Sequence, residues 1–242
     1  RIAEVLTNWK PLSAPCEEVI DATGCYLLPG IIDDHVHFRD PGLTHKADIL
    51  TESRAAAAGG VTSIMDMPNT NPLTVTLDAL NAKLDLLNEK CIVNHSCYFG
   101  ATNNNYTEFD KLDKHRVCGI KLFMGSSTGN MLVDKMNSLL NIFNGTDMLI
   151  AAHCEDQETI KNNIEKYKQK YKGADDIPVS AHPSIRSVPA CYASSELAVR
   201  LAKIAGARLH ILHVSTAKEL QLFSDEPLAN KNITAEACVA HL

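Results

Sequence analysis

Short apolar runs alternate with longer amphipathic stretches along almost the whole chain, and that alternation leaves few folds open. Seven runs read as buried strands: residues 30–36, 61–67, 92–99, 117–124, 148–153, 208–214 and 233–239. They are rich in Val and Ile and mostly bounded by Gly, Pro or Asn, as strands buried on both faces of a parallel sheet are. Between them lie helical stretches at 46–58, 75–88, 106–114, 132–143, 156–171, 189–205 and 216–223. In the second of these, Leu77, Leu80, Leu84 and Leu87 recur at the spacing of a core-facing helix. Strand–helix alternation makes parallel βαβ units.

Seven parallel strands fit either a doubly wound sheet or a closed barrel of eight. No G-x-G-x-x-G follows the first strand, which weakens the dinucleotide-binding version of the former. The polar residues His35, His37, Asn69, Lys121, His153 and His213 stand at the C-terminal ends of strands, where a barrel keeps its active site. The expected fold is therefore α/β, a TIM-type (β/α)8 barrel over residues 30–242 that lacks its last strand. Residues 1–29 read as short strands and turns, part of a small N-terminal β-sandwich. The chain ends inside an apolar stretch, so truncation at both ends is expected.

Composition closes off other classes. Hydrophobic residues make up 45% and charged residues 21%, ordinary for a globular protein. No apolar run approaches the ~18–20 residues of a membrane span. Arg1-Ile2-Ala3-Glu4 does not open a signal peptide. Net charge is −6, and the densest basic cluster, Lys161 to Lys172, is diluted by acids and Asn, a solvated helix face rather than a nucleic-acid surface. None of the eight cysteines forms C-x-x-C, and most lie in apolar runs. Free thiols in a reducing cytoplasm are the expectation.

The sequence Asp34-His35-Val36-His37-Phe38-Arg39-Asp40-Pro41-Gly42 carries the strongest chemical signal. Two residues apart on a strand, His35 and His37 point to the same side. An isolated H-x-H is more often a surface pair. At the end of a buried strand it points to a metal such as zinc, which takes imidazole nitrogen readily. His153 and His213 close later strands; a lone strand-end histidine is usually structural, but four converging from three strands suggest one centre. His210 has the opposite strand parity to His213 and is expected to face the helices. Lys121, inside the apolar run Gly119-Ile120-Lys121-Leu122-Phe123, is costly to bury while charged. It is either a snorkelling or paired lysine or a neutral amine that has captured CO₂ as a carbamate. Asn69-Thr70 after Met67-Pro68 would by itself read as a simple turn.

The H-x-H-x-R-x-P-G run, the Met67-Pro68-Asn69-Thr70 run and the G-x-K-L-F strand together resemble dihydroorotases of the amidohydrolase superfamily, from about Val19 onward. The resemblance implies that His35 and His37 bind one zinc ion, that His153 and His213 bind a second, and that carboxylated Lys121 bridges them. It gives Arg39 and Asn69 the substrate carboxylate, a task that suits the planar guanidinium fork. The implied reaction is reversible ring closure of N-carbamoyl-L-aspartate to L-dihydroorotate in pyrimidine synthesis. Dihydropyrimidinases share the histidines and lysine without the arginine, and allantoinases lack the pairing of Arg39 with Pro-Asn-Thr. Allantoinase, dihydropyrimidinase or hydantoinase activity is the alternative, and an inactive scaffold that binds a pathway enzyme is a rival of another class. The family's proton-shuttling aspartate is expected beyond Leu242, so these residues alone are expected to be inactive. A small-molecule substrate is the expected partner, with neither nucleic acid nor a membrane, and a homodimer stays open as an assembly.

Overall fold

The computed structural model describes residues 4–6, 17–125, 130–172 and 177–241. The chain separates into two compact units, residues 1–30 and 31–242. In the first, the described residues include a turn closed by the Cys25 N–H donating to Ala22 O at 2.9 Å, and no strand. The rest of the expected sandwich segment lies outside the described residues.

The second unit is a seven-stranded, all-parallel sheet. Its strands are β1 (Ile31–Val36), β2 (Val61–Asp66), β3 (Asn94–Gly100), β4 (Val117–Phe123), β5 (Ile150–His153), β6 (Leu209–Ile211) and β7 (Ile233–Ala235). Each pairs with its neighbour in sequence order. A doubly wound sheet reverses its strand order, so this unreversed order is the winding of a curled, incomplete (β/α) barrel.

Six α-helices lie among the described residues: α1 (Ile49–Ala58), α2 (Leu77–Lys90), α3 (Met136–Asn144), α4 (Gln157–Tyr171), α5 (His182–Ile185) and α6 (Val188–Ala205). Three start where a side chain satisfies an orphan backbone donor. Asp48 accepts from Thr51 N at 2.9 Å, Thr76 from Ala79 N at 3.2 Å and Asp156 from Thr159 N at 2.8 Å. Helix α6 stops at Gly206, whose φ of 67° is the left-handed conformation that glycine adopts without a Cβ penalty. Three expected helices are shorter. The 106–114 stretch is a 3₁₀ turn, Tyr106–Lys111, because Asp113 then opens a turn toward Arg116. The 216–223 stretch keeps only Glu219–Leu222, also 3₁₀. Helix α3 begins at Met136 because Leu132 bridges Phe123 in extended form.

The sheet has two kinds of row. Phe99, Ile120, Ile150 and Leu209 are paired across β3 to β6 and join the large core under the helices. Gly100, Lys121, Ala151, His210 and Thr234 form the alternate row, and Ala151 packs with Met67, Tyr98 and Leu212 in a smaller inner core. Paired residues of parallel strands share a face, so His210 lies on the inner side with Lys121, not in the helix layer. Strand alternation does not carry from His210 to His213. Strand β6 ends at Ile211, and His213 has a left-handed φ of 39°. Strand β7 likewise stops at Ala235 rather than running to Val239, as the chain turns into the 3₁₀ segment Val239–His241.

Candidate metal centre

The seven site residues singled out by sequence occupy one end of the sheet. His35 lies in β1, and His37 follows its end. Their Nε2 atoms face each other at 3.3 Å. His153 ends β5, and its Nδ1 lies 3.0 Å from Nε2 of His213. The two pairs adjoin, with the ring centroids of His35 and His213 5.5 Å apart.

Two of these imidazoles, His37 and His213, are held neutral. Burial, then the charges of Arg39, His35 and Lys121, lower the pKa of His37 to about 3. Burial, then His153, Lys121 and His35, lower that of His213 to about 4. A neutral imidazole keeps the lone pair that a cation needs. Lys121 is 1% exposed, with Nζ 4.5 Å from the centroid of the Phe123 ring. Burial lowers its pKa to about 7, so a large share of the amine is uncharged near neutrality. Its charge contributes to the lowering at both His37 and His213.

Arg39 and Asn69 sit on loops after β1 and β2. Gly42, with φ 82°, packs so closely on the second loop that a Cβ there would lie 1.9 Å from Asn71 O. Asn71 N–H also donates to Pro41 O at 3.0 Å. Arg39 itself has a left-handed φ of 67° and makes no ion pair among the described residues. For a residue with a Cβ this conformation costs roughly 1–3 kcal/mol, and such strain gathers at functional sites. The Asn69 side chain flanks His37, yet its Oδ1 is buried without a hydrogen-bond partner. A buried orphan acceptor costs ~1–3 kcal/mol unless something arrives to satisfy it. Asn69-Thr70 is thus a turn, with Thr70 N–H on Pro68 O at 2.9 Å, and also leaves a polar group open.

The family model described as Dihydro-orotase-like matches residues 24–219. The chain belongs to that family. Among curated dihydro-orotase-like relatives, the dihydroorotase of Listeria innocua is 32% identical over 228 residues, covering 93% of this chain and 51% of that protein. An allantoinase from Deinococcus radiodurans is 28% identical over 240 residues, 96% of this chain and 52% of its own. Among solved structures, L-hydantoinase (dihydropyrimidinase) from Arthrobacter aurescens matches with a TM-score of 0.84 at 28% identity, over 93% of this chain and 50% of that one. The chain spans about half the length of the curated relatives it matches.

The dihydro-orotase-like site also holds two carboxylates that sequence reasoning passed over. Glu155 lies 2.8 Å from His153 Nε2 and accepts from both Nε and Nη2 of Arg186, one edge of the guanidinium. Burial pushes its carboxyl up, but the Arg186 and His153 contacts outweigh it and hold the pKa at about 2. Glu236 lies 2.5 Å from His35 Nδ1. The available signal was position: Glu155 lies two residues past the end of β5, and Glu236 directly follows β7. His210, Glu236 and Asp34 also offer ligand atoms within 4.8 Å of one another.

Proposed function

We propose that the protein is a zinc-dependent dihydroorotase, interconverting N-carbamoyl-L-aspartate and L-dihydroorotate. The observation that carries this reading is the placement of Arg39 and Asn69 beside His37 on interlocked loops. A guanidinium without an ion pair among the described residues suits a carboxylate, bound through a planar fork. The Asn69 amide can add an N–H to that carboxylate and offer its unpartnered oxygen to a ring N–H. Dihydroorotate presents both groups.

The donor set fits zinc: four imidazoles in two adjoining pairs, two of them held neutral by burial, and a buried amine whose charge reaches one histidine of each pair. In this reading His35 and His37 hold one ion, His153 and His213 hold the other, and Lys121 bridges them as a carbamate formed from its uncharged amine and CO₂. Bound zinc would supply an activated water at neutral pH and polarise the ring carbonyl. Arg39 and Asn69 orient the ring, and Met67, Tyr98, Ala151 and Leu212 pack together as a smaller buried cluster. The proton carrier is assigned to an aspartate beyond Leu242, so residues 1–242 alone are proposed to be inactive. Residues 1–29 are proposed as part of a β-sandwich. All seven cysteines among the described residues are free, which supports the cytoplasm. The partner is proposed to be the small substrate, and a homodimer is the proposed assembly to test.

A second reading, a cyclic amidase for allantoin or hydantoins, is favoured by the allantoinase and L-hydantoinase similarities. Assaying the whole protein on dihydroorotate, allantoin and dihydrouracil decides between them. The expected result is preference for dihydroorotate, with Arg39→Met losing kcat/KM by ~2–5 kcal/mol while keeping its zinc. Faster turnover of allantoin or dihydrouracil would overturn the assignment. No turnover of any of the three by a zinc-loaded protein would favour a scaffold.

A further inference from the structure

Glu236 contacts one residue of each imidazole pair: the ring of His35 and the backbone of His213. Its Oε1 lies 2.5 Å from His35 Nδ1 and accepts the backbone N–H of His213 at 2.9 Å. Nε2 of His35 is the nitrogen that faces His37. A carboxylate on Nδ1 holds the proton there and leaves the Nε2 lone pair directed at the space shared with His37. At His213 the same oxygen anchors a backbone whose φ of 39° an L-residue seldom adopts.

The carboxylate is itself held in place. Glu236 N–H donates to Ile211 O at 3.1 Å, and Val214 N–H returns to Glu236 O at 2.8 Å. Its Oε2 lies 3.3 Å from His210 Nε2, and His210 Nδ1 is fixed on Thr234 Oγ1 at 2.8 Å. These contacts commit both carboxylate oxygens, so Glu236 and His210 read as a hydrogen-bonded chain running on to Thr234 rather than as part of a separate ion site with Asp34.

We propose that Glu236 is a positioning residue for a two-metal centre: it selects the His35 tautomer and fixes the His213 backbone, so that both imidazole pairs face one space. This rests on reading the four histidines as metal ligands. Carboxylates behind metal-binding histidines typically contribute 10–100-fold to affinity.

The test compares the whole protein with its Glu236→Ala and Glu236→Gln variants by zinc competition against a chromophoric chelator. The visible spectrum of the cobalt-loaded forms and the melting temperature of the metal-free forms complete the comparison. Gln keeps a carbonyl acceptor for both donors but loses the charge. The expected result is a zinc affinity loss of about 100-fold for Ala and about 10-fold for Gln. The cobalt spectrum should change while metal-free melting stays close to the parent. Zinc affinity and cobalt spectrum equal to the parent in a folded Ala variant would overturn the role. Should Ala fail to fold, parent-like values in Gln would overturn it instead. Failure of the parent to bind zinc would overturn the metal reading itself, and this inference with it.

Discussion

Lys83 Nζ and Asp66 Oδ2 lie 2.8 Å apart, with both side chains wholly buried. The pair joins helix α2 to the end of β2. Asp66 Oδ1 also accepts the N–H groups of Phe38 at 2.9 Å and Met67 at 3.0 Å, and Lys83 donates to Met67 O at 2.6 Å. One buried ion pair therefore pins the residue before Arg39 and the loop that carries Asn69. Removing one partner of a buried pair strands the other charge, at a cost of about 3–5 kcal/mol. Lys83→Met should lose stability on that scale in urea denaturation, and adding Asp66→Asn should recover part of it. A loss under ~1 kcal/mol, the range of a surface pair, would show that the pair does not clamp these loops.

Gly42→Ala should damage substrate use without emptying the metal centre. The new Cβ would meet Asn71 O at 1.9 Å on a backbone with φ 82°, and backbone cannot swing aside as a flexible side chain can. The Arg39 and Asn69 loops would move apart. The expected outcome is a kcat/KM loss of at least tenfold, about 1.4 kcal/mol, with unchanged zinc content. A variant with parent kinetics would show that loop registration is not needed.

Lys121→Ala should lose zinc and activity together, since its carbamate is proposed to bridge the two ions. Short carboxylic acids at high concentration should restore part of both by filling the gap. Elemental analysis beside the activity assay checks this. A Lys121→Ala protein with two equivalents of zinc and the parent rate would reduce the lysine to a structural role.

Residues 1–242 expressed alone should associate. Among the described residues β1 pairs only with β2, and β7 only with β6. Ile31 and Ile32 on β1 are 56% and 62% exposed. Open strand edges and exposed apolar surface both recruit other chains. Light scattering after size exclusion should find aggregates. A monomer with a cooperative melting transition would count against open edges.

The fold class was legible because parallel strands buried on both faces must be apolar, and the helices between them must carry an apolar stripe. That pattern located all seven strands and the candidate site at their C-terminal ends. The H-x-H spacing put His35 and His37 within 3.3 Å for a local reason, strand periodicity. What alternation could not foresee were its own interruptions. His213 is itself left-handed and reaches His153 from beyond the end of β6, while His210, paired in the row of Lys121, falls on the inner face. Nor could periodicity reveal Glu236 behind His35, 201 positions away in sequence, or Lys83 beneath Asp66. Sequence determined which residues could bind a cation, because that depends on side-chain chemistry and strand position. Tertiary structure alone decided their protonation and aim, because burial and partners brought from distant strands set both.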